Sequence, residues 1–311
     1  MKKLTALLLA AIMIFTLCAC SSGSNEGEDS GKVKIVTTIF PQYDFARQIA
    51  GGLAEVTMLL SPGEETHTYD PSPADIITIQ SCDIFIYGGG ESDTWVNDVL
   101  SSLDTSSMTL ITMMDVCELL EEEGEEHEHE HEHEEMAYDE HVWTSPINSM
   151  KIVQAITDAL CAADPDNKST YETNELHYLA QLETLDIKFH EVIDSAARDT
   201  LVFGDRFPLL YFAEEYGLEY RAAFPGCASN TEPSAATVAE LIDMVKSDGI
   251  PIVFKIELSN GQTADTIAEA SGARVETFYT CHTISKDDFE SGETYITLME
   301  KNIPLVKEAL H

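Results

Sequence analysis

Positive charge is scarce in this chain. Its 311 residues carry 17 Lys and Arg against 56 Asp and Glu, a formal net charge of −39. Such a surface has nothing with which to neutralise phosphates, so nucleic acid is excluded as a partner. Paired cysteines are missing as well: Cys82, Cys117, Cys161, Cys227 and Cys281 contain no Cys-x-x-Cys, which argues against a cysteine-rich zinc module. No His-Glu-x-x-His occurs, so the usual helical metalloprotease signature is absent too. The one long apolar run, Leu4 to Leu17, is shorter than the ~20 residues a spanning helix needs.

That run has another use. Lys2 and Lys3 precede it and Leu17-Cys18-Ala19-Cys20 closes it, the pattern of an export signal over residues 1–19. Leu17 at −3 and Ala19 at −1 before a cysteine resemble the bacterial lipobox, which implies lipidation at Cys20 and an extracytoplasmic protein anchored to the cell membrane. Ser, Gly and Glu dominate residues 20–31, as in a flexible tether.

From residue 32 strands alternate with helices. Val33–Thr38, Val56–Leu60, Ile84–Tyr87 and Met108–Ile111 read as strands, rich in Val, Ile and Thr and free of breakers. Helices fit after Pro41, from Ser72-Pro73, and over Trp95–Leu103. The rhythm returns with strands at Thr200–Phe203, Leu218–Ala222, Ile252–Ile256 and Arg274–Tyr279, and a closing helix over Glu293–Leu310. The expectation is an α/β protein of two lobes, each a four-stranded parallel sheet with flanking helices. The first lobe spans 32–148 and the second 200–311. One long helix over 149–199 joins them, broken or kinked at Asp164-Pro165, with Leu176, Leu179, Leu182, Leu185, Ile187 and Phe189 on its apolar side. Residues 118–137 are Glu-rich and carry His127, His129, His131 and His133. They cannot pack a core and read as a disordered loop with auxiliary metal ligands.

Ligands of open α/β sheets sit beyond the carboxyl ends of the strands. His67, Asp205, Glu257 and His282 all follow predicted strands, and His141 stands just past the acidic loop. Imidazoles with one or two carboxylates suit four-coordinate Zn(II). Read singly, each residue has a plainer role: a helix cap for Asp205, a hydrogen bond to the helix beginning at Gly261 for Glu257.

Two motifs carry a family resemblance. The segment Gly63 to Pro73 is similar to the Pro-Gly-x-x-x-His-x-Tyr-x-Pro-x-Pro signature of the zinc and manganese solute-binding proteins of ABC importers. Asp139-Glu140-His141-Val142-Trp143 is similar to that family's Asp-Pro-His-Val-Trp. Val36 to Pro41 and Tyr43 to Ala46 match its first strand and helix. The resemblance implies a monomeric receptor without catalysis, with metal bound in the cleft between lobes and handed to a permease and its ATPase. Asp205 departs from the family's zinc members, which place His there, and no carboxylate stands just after the last strand. The expected ligands are therefore His67, His141, Asp205 and His282, with Cys281 and Glu257 as rivals for the fourth place and Zn(II) favoured over manganese or iron. A hydrolase using Glu257 as base is the reading from another class, and a Cys227–Cys281 disulfide is expected near the cleft.

Overall fold

The computed structural model describes residues 31–65, 67–122, 138–224 and 233–311. The expected signal, nearly all of the tether, His127, His129, His131, His133 and Cys227 lie outside them. Val33–His311 forms one compact unit. Among the described residues, no helix is long and apolar enough to cross a membrane.

The unit holds two parallel four-stranded sheets of the same order. In the first, β1 (Lys34–Thr37) and β3 (Ile84–Tyr87) are central, β2 (Glu55–Met58) flanks β1, and β4 (Thr109–Thr112) flanks β3. In the second, β5 (Thr200–Phe203) and β7 (Ile252–Ile256) are central between β6 (Glu219–Ala222) and β8 (Arg274–Phe278). The central strands are buried on both faces, which is why they read as unbroken apolar runs. The order 2-1-3-4 reverses direction between the two central strands, opening a crevice at their carboxyl ends in each sheet.

Helices cover the sheets: α1 (Phe40–Ala50), α2 (Pro73–Gln80), α3 (Thr94–Ser102), α4 (Pro146–Ala163), α5 (Lys168–Ile193), α6 (Leu210–Tyr216), α7 (Ala235–Asp248), α8 (Gln262–Ser271), α9 (Lys286–Ser291) and α10 (Tyr295–Leu310). The break at Asp164-Pro165 turns the expected linker into a hairpin of α4 and α5, joined by the 3₁₀ turn Pro165–Asn167. Proline there cannot donate to a preceding helical carbonyl, and Asp164 accepts from Asn167 and the Tyr171 hydroxyl instead. The 26 residues of α5 span about 39 Å and join the lobes. Its buried stripe is Tyr171, Tyr178, Leu182, Leu185 and Phe189. Leu176 and Ile187, expected on that side, are 68% and 50% exposed, because they fall off the face that turns to the sheets.

One apolar cluster runs through both halves, from Ile35 and Phe45 through Trp143, Leu182 and Phe189 to Phe203, Phe254 and Phe278. Buried Asp44 stitches the halves together. One of its oxygens takes Arg47 Nε at 2.7 Å, and the other takes the Tyr178 hydroxyl and the Tyr295 backbone N–H at 3.3 and 2.8 Å. It thereby caps the start of α10 from α1, as a carboxylate at a helix N-terminus should.

The acidic segment begins to fold before it leaves the described residues. Leu119 and Leu120 pack against the core, the Asp139 N–H donates to the Leu120 carbonyl at 3.0 Å, and Glu121 pairs with Tyr138 in an antiparallel bridge. Residues 118–122 thus belong to the body rather than to the loop.

Candidate metal centre

His67 hangs from the loop after β2. That loop turns at Gly63 (φ +86°), whose N–H donates to the Ile284 carbonyl at 2.8 Å, and the Thr283 hydroxyl donates to the Glu64 carbonyl. The loops carrying His67 and His282 are therefore laced together across the cleft, although they come from different sheets.

His282 follows β8 and is fixed by Glu257. Glu257 Oε1 accepts the Thr280 hydroxyl and the His282 N–H, at 2.7 and 3.1 Å, and Oε2 accepts the Thr280 N–H at 2.9 Å. Burial pushes the Glu257 carboxyl pKa up. With both oxygens bonded to the loop, Glu257 positions His282. Cys281 takes a left-handed φ of +62°, which turns its Sγ inward to lie 4.0 Å from the Tyr295 carbonyl. Its thiol is buried, free and held well above its ordinary pKa by desolvation. Cys227, its expected partner, lies outside the described residues, and Cys281 faces away from the cleft.

His141 enters from the 3₁₀ turn Val142–Thr144, just ahead of α4. Asp139 Oδ1 accepts the His141 N–H at 2.8 Å and faces Nδ1 at 3.2 Å, which orients the ring. Trp143, next along, donates its indole N–H to the Thr280 carbonyl at 3.0 Å and packs 5.3 Å from His141 and 5.0 Å from His282 between ring centroids.

The three imidazoles converge. Ring centroids are 4.8 Å apart for His141–His282, 5.1 Å for His67–His282 and 6.3 Å for His67–His141. The fourth member is Glu140. One ligand-type atom each from His67, Glu140, His141 and His282 lies within 4.8 Å of the others. Ser92 sits between two of them: its N–H donates to Glu140 Oε2 at 2.9 Å, its hydroxyl hydrogen-bonds Glu140 Oε1, and that hydroxyl is 2.8 Å from His67 Nδ1. With Ser92 at one Nδ1 and Asp139 at the other, both rings can present Nε2 to a metal, the outer-shell arrangement of metal-binding histidines. Gly90 makes room, since a Cβ there would lie 2.2 Å from Glu140 Cβ.

Asp205 does not join this group. It is buried after β5, where Oδ1 accepts the Arg206 N–H at 2.9 Å and Oδ2 accepts the Ile256 N–H at 3.3 Å. It satisfies backbone donors at the switch between β5 and β7. Glu140 is not among the ligands expected from the sequence, which takes only His141 from the motif they share. Its signal was its place beside His141 in Asp139-Glu140-His141, where a loop acid is indistinguishable from a ligand until Ser92 and Gly90 are brought against it.

Electrostatics favour a cation. The Glu122 carboxyl is raised by burial first and by neighbouring Asp139, Glu91 and Glu140. His282 lies well below its ordinary pKa, chiefly through desolvation and then through His141, His67 and Arg206. Desolvation thus favours its neutral form, the form in which an imidazole can hold a metal. Cavities of about 360 Å³ (His67, Glu91, Ser92, Arg206) and about 30 Å³ (His67, Arg206, His282) open onto the group.

Two parallel α/β sheets with three imidazoles and a carboxylate gathered between their loops form a candidate metal site in a protein of the two-lobed type. The chain belongs to the family of the zinc-uptake complex component A, ZnuA, whose family model matches residues 35–309. It is 34% identical to the high-affinity zinc uptake system protein ZnuA of Bacillus subtilis, over 99% of this chain and 98% of that protein. It is 35% identical to the zinc-binding lipoprotein AdcA of Streptococcus pneumoniae, and there the chain spans 61% of the relative's length. The Zn(II)-bound ZnuA-like domain of that AdcA superposes with a TM-score of 0.74 at 33% identity, covering 90% of this chain and 99% of the domain. The Bacillus subtilis metal-dependent lipoprotein YcdH gives a TM-score of 0.77 at 31% identity, covering 90% and 100%.

Proposed function

We propose that this protein is an extracytoplasmic, lipid-anchored receptor that binds one Zn(II) through His67, His141, His282 and Glu140 and passes it to an ABC permease and its ATPase. The observation that carries the reading is the convergence of four ligand atoms within 4.8 Å in a buried cleft. Three nitrogens and one oxygen around a small space suit tetrahedral zinc better than manganese, which prefers more oxygen ligands. The names of the relatives support zinc uptake. The lipobox-like Leu17-Cys18-Ala19-Cys20 supports attachment through Cys20. The His127–His133 run offers weak ligands that gather zinc near the cleft, because the ends of its segment are clasped beside Glu140. Asp205 serves the site by fixing the β5 and β7 loops.

The test is metal analysis and calorimetry with zinc and manganese in competition. The parent binds one zinc tightly and prefers it over manganese. His67→Ala and His141→Ala each lose that tight event, and parent-like zinc affinity in both would overturn the assignment.

A further inference from the structure

A second group of ligating side chains lies away from the cleft, on the long helix. Asp186, His190 and Asp194 recur at every fourth position of α5 and its end, and so share one face. Glu215, near the end of α6, meets that face. One ligand-type atom each from Asp186, His190 and Glu215 lies within 4.8 Å of the other two. His190 Nε2 is 3.9 Å from Asp186 Oδ1, and Nδ1 is 3.4 Å from Asp194 Oδ1. Asp186, His190 and Glu215 are half-buried. Among the described residues, none of the three carboxylates forms an ion pair with Lys or Arg.

Side chains outside the group hold it in place. The Tyr216 hydroxyl donates to Asp186 Oδ1 at 2.9 Å, which leaves Oδ2 available. The Ser145 hydroxyl donates to Glu215 Oε2 at 3.0 Å, which leaves Oε1. The His190 ring packs edge-on against Tyr216, with centroids 5.1 Å apart. One imidazole and two carboxylates, each oriented by a packed neighbour, are the donor set of a borderline divalent cation.

We infer that Asp186, His190 and Glu215 form a second divalent-cation site of the zinc class, with the remaining coordination filled by water. It is weaker than the cleft, being half open to solvent and holding one imidazole against three. A cation there ties α5 to α6. Through Ser145 it also reaches the turn that follows His141, so its occupation stiffens one wall of the cleft.

The test uses the full chain with His127, His129, His131 and His133 replaced by Ala, so that the loop contributes no imidazoles. Zinc is titrated calorimetrically into this background and into the same background with His190→Ala or Asp186→Asn. The expected result is one tight and one weaker event in the background, with the weaker one lost in both variants and the tight one unchanged. A single event in the background, or two events surviving in both variants, overturns the site. Asp186→Asn still accepts from Tyr216 and guards against general unfolding. If both variants melt lower without zinc yet keep two events, the group is an ion-pair cluster only and the inference fails. Loss of the tight event with the weaker one intact counts against the cleft assignment instead. A zinc-edge anomalous peak beside His190 would place the ion directly.

Discussion

Two carboxylates compete for the fourth place in the cleft, and the pair Glu140→Gln and Asp205→Asn separates them. Glu140 faces three imidazoles, and Gln keeps an acceptor for Ser92 while removing the charge. Truncating one partner of a buried charge pair costs about 2–5 kcal/mol. At 1.4 kcal/mol per factor of ten, the zinc Kd of Glu140→Gln should rise somewhere between ~30-fold and ~4,000-fold. Asp205→Asn acts elsewhere. Its Oδ1 still accepts from Arg206, but the amide now meets the Ile256 N–H, donor against donor. A buried donor left without an acceptor costs about 1–3 kcal/mol of stability, which lowers the melting temperature by several degrees and leaves zinc affinity near that of the parent. Chelator-competition calorimetry gives the affinities, and scanning calorimetry of metal-free protein gives the stabilities. If Asp205→Asn weakens zinc as much as Glu140→Gln, or Glu140→Gln binds like the parent, the reasoning is refuted.

Three further outcomes are expected. Gly90→Ala places a methyl 2.2 Å from Glu140 Cβ, so it should displace that side chain and weaken zinc, with the loss checked by the same competition assay. Asp93 is buried and its pKa is pushed up to about 6, chiefly by desolvation, so the folded state holds a proton that the unfolded state releases between pH ~4 and ~6. Its contribution therefore improves as pH falls through that window and is lost as pH rises above it. The urea-midpoint difference, parent minus Asp93→Asn, should shift in the parent's favour from pH 7 to pH 4.5, and a constant difference contradicts the shift. Deleting residues 123–135 keeps the Glu121–Tyr138 clasp, so equilibrium dialysis should find the tight zinc retained and additional weak zinc lost.

Most of the architecture could be read along the chain, because parallel strands buried on both faces are runs of Val, Ile and Phe punctuated by helix caps. Helix α9 escaped, although Ser285 caps it and Gly292 closes it in a left-handed turn, since six residues are too few to show a period. The three histidines could be read because each occupies a strand end or a recognisable motif. The carboxylates could not be ranked. Asp205, Glu257 and Glu140 all stand where ligands stand and all accept backbone N–H groups, and what separates them is that Glu140 alone of the three brings an oxygen within 4.8 Å of the three imidazoles. Glu257 is taken by Thr280 and His282, and Asp205 by Arg206 and Ile256. Those donors lie up to 51 residues away, beyond the reach of any local pattern.

The Trp143 indole is bonded to Thr280 from the second half, its carbonyl accepts the Tyr295 hydroxyl at 2.7 Å, and its ring touches two of the three imidazoles. Swinging the sheets apart like a clamshell would break both bonds and drag an indole out of the continuous apolar cluster. The molecule is in this respect a rivet rather than a hinge. The emission of Trp143, one of two tryptophans in the chain, should therefore act as a native optical gauge of whether the cleft is filled.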